Sequence, residues 1–108
     1  FELQARYPAE YCCAMTPVRL PEGHSGDRLR AEILARSNMS LGSGLGQLAE
    51  RVFRIGHLGD FHELMVTGTL TGIEMGLAVC GTPHRPGGVD AAMSYLSGNA
   101  RPLKEAAE

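Results

Sequence analysis

Tryptophan is missing from these 108 residues, and only three phenylalanines and three tyrosines are present. That leaves little material for the aromatic platforms on which nucleic-acid bases stack. A basic stripe is missing too. Ten Lys and Arg stand against twelve Asp and Glu, for a formal net charge of -2. A clustered positive surface is the usual mark of a nucleic-acid binder, so no nucleic-acid partner is expected. Three cysteines are too few for a secreted disulfide framework. The adjacent Cys12 and Cys13 read as small core residues of a reducing compartment, facing opposite sides of a strand. No Cys/His cluster has zinc spacing. His57 and His62 have the wrong separation for two ligands on one helix face, and His24 and His84 stand in separate loops, so no metal is expected. The longest apolar stretch, Leu64 to Val79, carries Glu74 and several threonines and glycines. It reads as too short and too polar to span a bilayer, and no membrane partner is expected. The chain starts with Phe1 and shows no charged-then-apolar leader, which points to a fragment or a processed product.

What is present is enough chain for one small domain with a modest core, punctuated by 14 glycines. Phe1 to Pro8 reads as extended or irregular. A strand is expected within Ala9–Leu20, interrupted near Thr16-Pro17; proline removes a ladder donor, so an edge position or a bulge is expected there. A helix follows from Gly26 to Arg36, with Ser25 as N-cap and Asp27 at its positive end. Met39-Ser40-Leu41 reads as a short strand. Gly42-Ser43-Gly44-Leu45-Gly46 lacks both the Walker lysine and the GxGxxG spacing, so it reads as a turn or as a place of close packing against a neighbouring domain.

The next strand organises the chain. Val52, Phe53 and Ile55 are β-formers, and side chains alternate faces along a strand. If Phe53 and Ile55 take the core, Arg54 points the other way, two residues before a glycine where the strand ends. That is a rigid mount for a guanidinium, whose planar fork of donors matches a carboxylate. The plain alternative is a structural arginine paired with an acid such as Asp60. His57, in the following turn, reads as a hydrogen-bonded turn residue in preference to an acid–base catalyst, with a place lining a cleft as the lesser option.

A second helix is expected after Asp60 as N-cap, with Glu63 completing a capping-box-like start. In it Gly68, Gly72 and Gly76 recur at intervals of four. Each costs about 1 kcal/mol relative to alanine in an exposed helix, so close approach to a sheet or another helix is the expected compensation. Cys80-Gly81-Thr82-Pro83 ends the helix. A short helix from Val89 to Leu96 follows, with Val89, Ala92, Met93 and Leu96 as its apolar stripe. Residues 1–98 are expected to form one domain, and 99–108 a frayed tail. The order fits an α+β layer: two or three antiparallel strands covered by helices on one face.

The segment Arg54-Ile55-Gly56-His57-Leu58-Gly59-Asp60-Phe61, with Glu63-Leu64-Met65 and Gly72-Ile73-Glu74-Met75-Gly76-Leu77, resembles the C-terminal part of serine–glyoxylate aminotransferases, of the class V pyridoxal-phosphate group. The resemblance extends through Pro21-Glu22-Gly23-His24, Leu41-Gly42-Ser43-Gly44-Leu45-Gly46, Gly87-Gly88-Val89 and Tyr95-Leu96, which is nearly the whole chain. It implies the small C-terminal domain of a fold-type-I enzyme whose large domain lies elsewhere. It implies that Arg54, the arginine before Ile-Gly in the motif, binds the α-carboxylate of amino-acid and keto-acid substrates. The intact protein would move an amino group from serine or alanine to glyoxylate through a pyridoxamine intermediate, as a homodimer with active sites between large and small domains. Serine, alanine and aspartate users share much of this region.

Pyridoxal phosphate needs a lysine for its Schiff base. The one lysine here, Lys104, does not match the family's, so the cofactor is assigned to the large domain. This chain alone is expected to hold no cofactor, to contribute no catalytic residue and to turn nothing over. The last three residues are not a peroxisomal signal, so a cytoplasmic setting is expected. A reading of a different class is a free-standing α+β regulatory module that binds an amino acid without chemistry.

Overall fold

The computed structural model describes residues 2–12 and 14–99. Phe1, Cys13 and residues 100–108 lie outside the described residues, and with them the expected facing of Cys13, nearly all of the expected tail and Lys104.

The domain is built on a four-stranded antiparallel sheet. Its strands are β1 (Glu2–Leu3), β2 (Met15–Arg19), β3 (Gly42–Ser43) and β4 (Val52–Gly56), in the order β1-β2-β4-β3. Among the described residues three α-helices accompany it: α1 (Gly26–Ser37), α2 (Glu63–Cys80) and α3 (Gly88–Ser94). The expected α+β class is borne out. The sheet has one strand more than expected, because Glu2 and Leu3 pair with Arg19 and Val18.

β4 behaves as its alternation predicts. Val18 of β2 pairs with Phe53 and Thr16 with Ile55, so these four share a face. Phe53 is 1% exposed and joins Val18, Leu29, Ile33, Leu41, Ile73 and Leu77 in the core, with Ile55 packed against them. Pro17 and Arg54 pair on the opposite face.

Pro17 corrects the expectation of an edge or a bulge. It sits in a continuous strand between β1 and β4. Its carbonyl accepts from Gln4 N–H at 3.1 Å, so its main-chain groups point towards β1. Gln4 is thus the last residue bonded to β2 on this side, and the reciprocal bond that an N–H at Pro17 would give back is missing where the pairing ends. The strand is also shorter than Ala9–Leu20, since Pro8–Glu10 forms a 3-10 turn.

α1 starts as expected, with the Ser25 hydroxyl accepting from Arg28 N–H at 3.2 Å. Leu29 and Ile33 are buried, whereas Leu34 and Arg36 face solvent. Asn38 then turns left-handed at φ 53° and ends the helix. The short strand expected at Met39–Leu41 pairs three residues later, at Gly42–Ser43. Leu41 is buried and Met39 packs on the core, so the apolar alternation is real. It belongs to the connector, and the ladder to β4 begins after it.

α2 begins later than expected. His62, not Asp60, stands at the N-cap, and it makes no side-chain cap. Gly59 at φ 83° and the Phe61 N–H bond to the Gly59 carbonyl use these residues in a tight turn. Gly81 closes the helix in the left-handed conformation, as expected. Two of the three spaced glycines fulfil the packing expectation. A Cβ on Gly76 would lie 2.5 Å from Ile33 Cγ1, and one on Gly72 would lie 2.8 Å from Met39 Cε. Gly68 meets no such neighbour among the described residues.

With 18 residues, α2 is long and apolar enough, by length and composition alone, to cross a membrane. That corrects the reading of the 64–79 run as too short and too polar. Gly72, Ile73, Gly76 and Leu77 are nevertheless buried in the domain's own core. α3 starts at Gly88 and gives way to a π-type turn over Tyr95–Asn99; Met93 and Leu96, expected in its apolar stripe, are exposed.

Candidate functional site

Arg54 is flanked across the sheet by Pro17 on β2 and Gly42 on β3. Gly42 has no side chain, and Arg54's own lies over it. A Cβ built on Gly42 would stand 3.1 Å from Arg54 Nε, 3.2 Å from its Cβ and 3.4 Å from Nη2. On the other side Nη1 reaches the Met15 sulfur at 3.8 Å, a weak acceptor for a charged donor. Nε is sealed from solvent and has no hydrogen-bond partner among the described residues. The residue as a whole is half-buried.

The alternative of an internal ion pair is not what the structure shows. Among the described residues the ion pairs join Arg19 to Glu2, Arg30 to Asp27 and Arg36 to Glu32, and none uses Arg54 or Asp60. A buried donor without an acceptor costs roughly 1–3 kcal/mol, more when charged. Folding therefore leaves the Arg54 side chain laid against Gly42 and Met15 with no acid among the described residues paired to it.

His57 takes the turn role expected of it. Its Nε2 lies 2.8 Å from Thr16 Oγ1, and its N–H donates to the Ala14 carbonyl at 2.9 Å. The ring also borders a groove of about 450 Å³ whose walls include Tyr11, Cys12, Met15 and Pro17. Met15 is thus shared between this groove and the Arg54 guanidinium. The sequence reading missed Met15, Thr16 and the particular importance of Gly42. Gly42 was visible only as one of a run of glycines, and its register to Arg54 depended on a strand placed too early.

Cys12 corrects the core reading of the cysteines. It is exposed and precedes β2, and Ala14 N–H donates to its sulfur at 3.4 Å. That bond, helped by the Met15 N–H, holds its thiol below the usual cysteine range. Cys80 is half-buried against the core. His84 Nδ1 lies 2.8 Å from the Thr82 carbonyl. Among the described residues no three His, Cys, Asp or Glu side chains gather around a metal-sized space. Gly42 and Gly44 are accounted for by packing inside this domain: a Cβ on Gly44 would run into the Leu48 carbonyl.

No protein-family model matches the chain. It is 42% identical over 103 residues to the serine–glyoxylate aminotransferase of Methylorubrum extorquens, covering 94% of this chain and 25% of that protein. It is 45% identical over 83 residues to the serine–glyoxylate aminotransferase of Arabidopsis thaliana, covering 76% and 21%. Among solved structures, ureidoglycine-glyoxylate aminotransferase from Bacillus subtilis superimposes with a TM-score of 0.69 at 29% identity, over 75% of this chain and 21% of that one. These aminotransferases are homologues of the chain, and the resemblance read from its motifs is borne out. The chain spans about a quarter of the length of the curated relatives it matches.

Proposed function

On the premise that the chain is homologous to about a quarter of a glyoxylate aminotransferase, we propose that it is the small C-terminal domain of such an enzyme and that Arg54 binds the substrate's α-carboxylate. The whole protein would transfer an amino group from serine, or alanine, to glyoxylate, as a homodimer. The observation that carries this reading is the state of Arg54: it is half-buried, its Nε is unpartnered among the described residues, and no acid of the described residues neutralises it. A carboxylate is the small anion whose two oxygens match a guanidinium fork.

The described residues do not fit pyridoxal phosphate itself, because none of them is a lysine that could form its Schiff base. The cofactor is accordingly assigned to the rest of the protein. This chain's own part is orientation. A carboxylate fixed on Arg54 leaves the neighbouring amino or keto carbon with little freedom, and such positioning lowers a barrier by several kcal/mol. Lysine would keep the charge and lose the fork. The full-length Arg54→Lys enzyme is expected to show KM values for amino and keto acids raised about tenfold or more, as for loss of a charged hydrogen bond, with cofactor absorbance retained. Unchanged saturation would contradict the assignment.

A further inference from the structure

We infer that Gly42 and Met15 are positioning residues for Arg54: two cross-strand walls that fix the direction in which its guanidinium leaves the sheet. The inference rests on the reading of Arg54 as the carboxylate clamp and adds to it the parts that aim the clamp.

Three strands meet at this point. Arg54 projects from β4, Gly42 lies opposite it on the edge strand β3, and Met15 stands on β2. An arginine side chain has many rotamers, and holding it in one requires walls. One wall is the bare backbone of Gly42. The gap between an imagined Cβ there and Arg54 is only 3.1 Å at Nε and 3.4 Å at Nη2. A real methyl group would press on the guanidinium itself, not on some distant atom, and would move it by a few tenths of an ångström or swing it to another rotamer. Gly42 is not in the left-handed region that favours glycine, so backbone conformation does not explain the residue; the space it leaves for Arg54 does. The second wall is the Met15 thioether, 3.8 Å from Nη1. Sulfur is soft and accepts weakly, so it can lie against the charge without neutralising it. Neither wall supplies an acceptor to Nε, which stays unpartnered. The site therefore restrains the arginine by shape and leaves its charge for a ligand.

The test is a double-mutant cycle in the full-length enzyme, read as KM and kcat for the keto acid alongside thermal unfolding. Gly42→Ala is expected to raise KM about tenfold, since displacing a positioned group by a fraction of an ångström to an ångström costs tens-fold to a hundredfold. In the Arg54→Ala background the same substitution is expected to add nothing, because the group it displaces is gone. Met15→Ala removes the second wall; it is expected to raise KM by a smaller factor, and it carries the test if Gly42→Ala does not fold. The inference is overturned if Gly42→Ala and Met15→Ala both leave KM unchanged while Arg54→Ala raises it. It is equally overturned if they raise KM by the same factor with and without Arg54, which is the mark of a merely structural role. If Arg54→Ala itself leaves KM unchanged, the clamp reading fails and this inference falls with it.

Discussion

Phe53 and Arg54 are neighbours in one strand and obey opposite rules. Phe53 is 1% exposed, packed in one core with apolar side chains from α1 and α2, and has nothing left to satisfy. Arg54, one residue on and facing the other way, is equally fixed in place but chemically unfinished, with a sealed nitrogen that finds no acceptor. The first face is explained by the domain's own stability. The second is not, since stability alone would pair that nitrogen or expose it. The contrast is local to the two side chains, since Val52, on the same face as Arg54, is buried.

Substitutions at the two positions sharpen that contrast. Phe53→Ala opens a cavity at the centre of the core and is expected to cost about 3–5 kcal/mol of stability, measured by urea unfolding. Arg54→Met keeps most of the stem and removes the unpartnered charge. It is expected to leave stability unchanged or raise it by up to about 1–3 kcal/mol, while keto-acid saturation is lost. Equal destabilisation at both positions would mean that Arg54 is a structural residue and would break the comparison.

α2 offers a smaller version of the same contrast. Gly76 is packed against Ile33, and Gly68 faces open space. Gly76→Ala is expected to destabilise by about 1–3 kcal/mol through overpacking, despite its better helix propensity. Gly68→Ala is expected to stabilise by up to about 1 kcal/mol. Opposite shifts in urea midpoint check both; a destabilising Gly68→Ala would show that another surface lies close to that face.

The parts of the fold legible in the sequence were those set by strong local patterns. The β4 alternation put Phe53 and Arg54 on opposite faces, Ser25 marked the start of α1, and Gly81 marked the end of α2. The errors came where a long-range partner decides. Met39 and Leu41 have a strand's alternation, yet pairing with β4 starts at Gly42 because the chain first has to leave the Asn38 cap. Pro17 fits an interior strand because its missing donor falls where the short β1 pairing ends, one bond past Leu3. Asp60 has the chemistry of an N-cap, but the Gly59 turn takes it out of position. At the site, Arg54 was readable as a candidate from its place near a strand end. Its two walls were not, since Gly42 and Met15 reach it only through the register of three strands.

The most direct measurement is a structure of the full-length enzyme with a non-reactive carboxylate analogue of its substrate bound. The account predicts carboxylate oxygens about 2.7–2.9 Å from the terminal nitrogens of Arg54, the spacing of a charge-assisted pair, with the side chain still lying over Gly42. A carboxylate held elsewhere, with Arg54 paired to an acid of the protein itself, would contradict it.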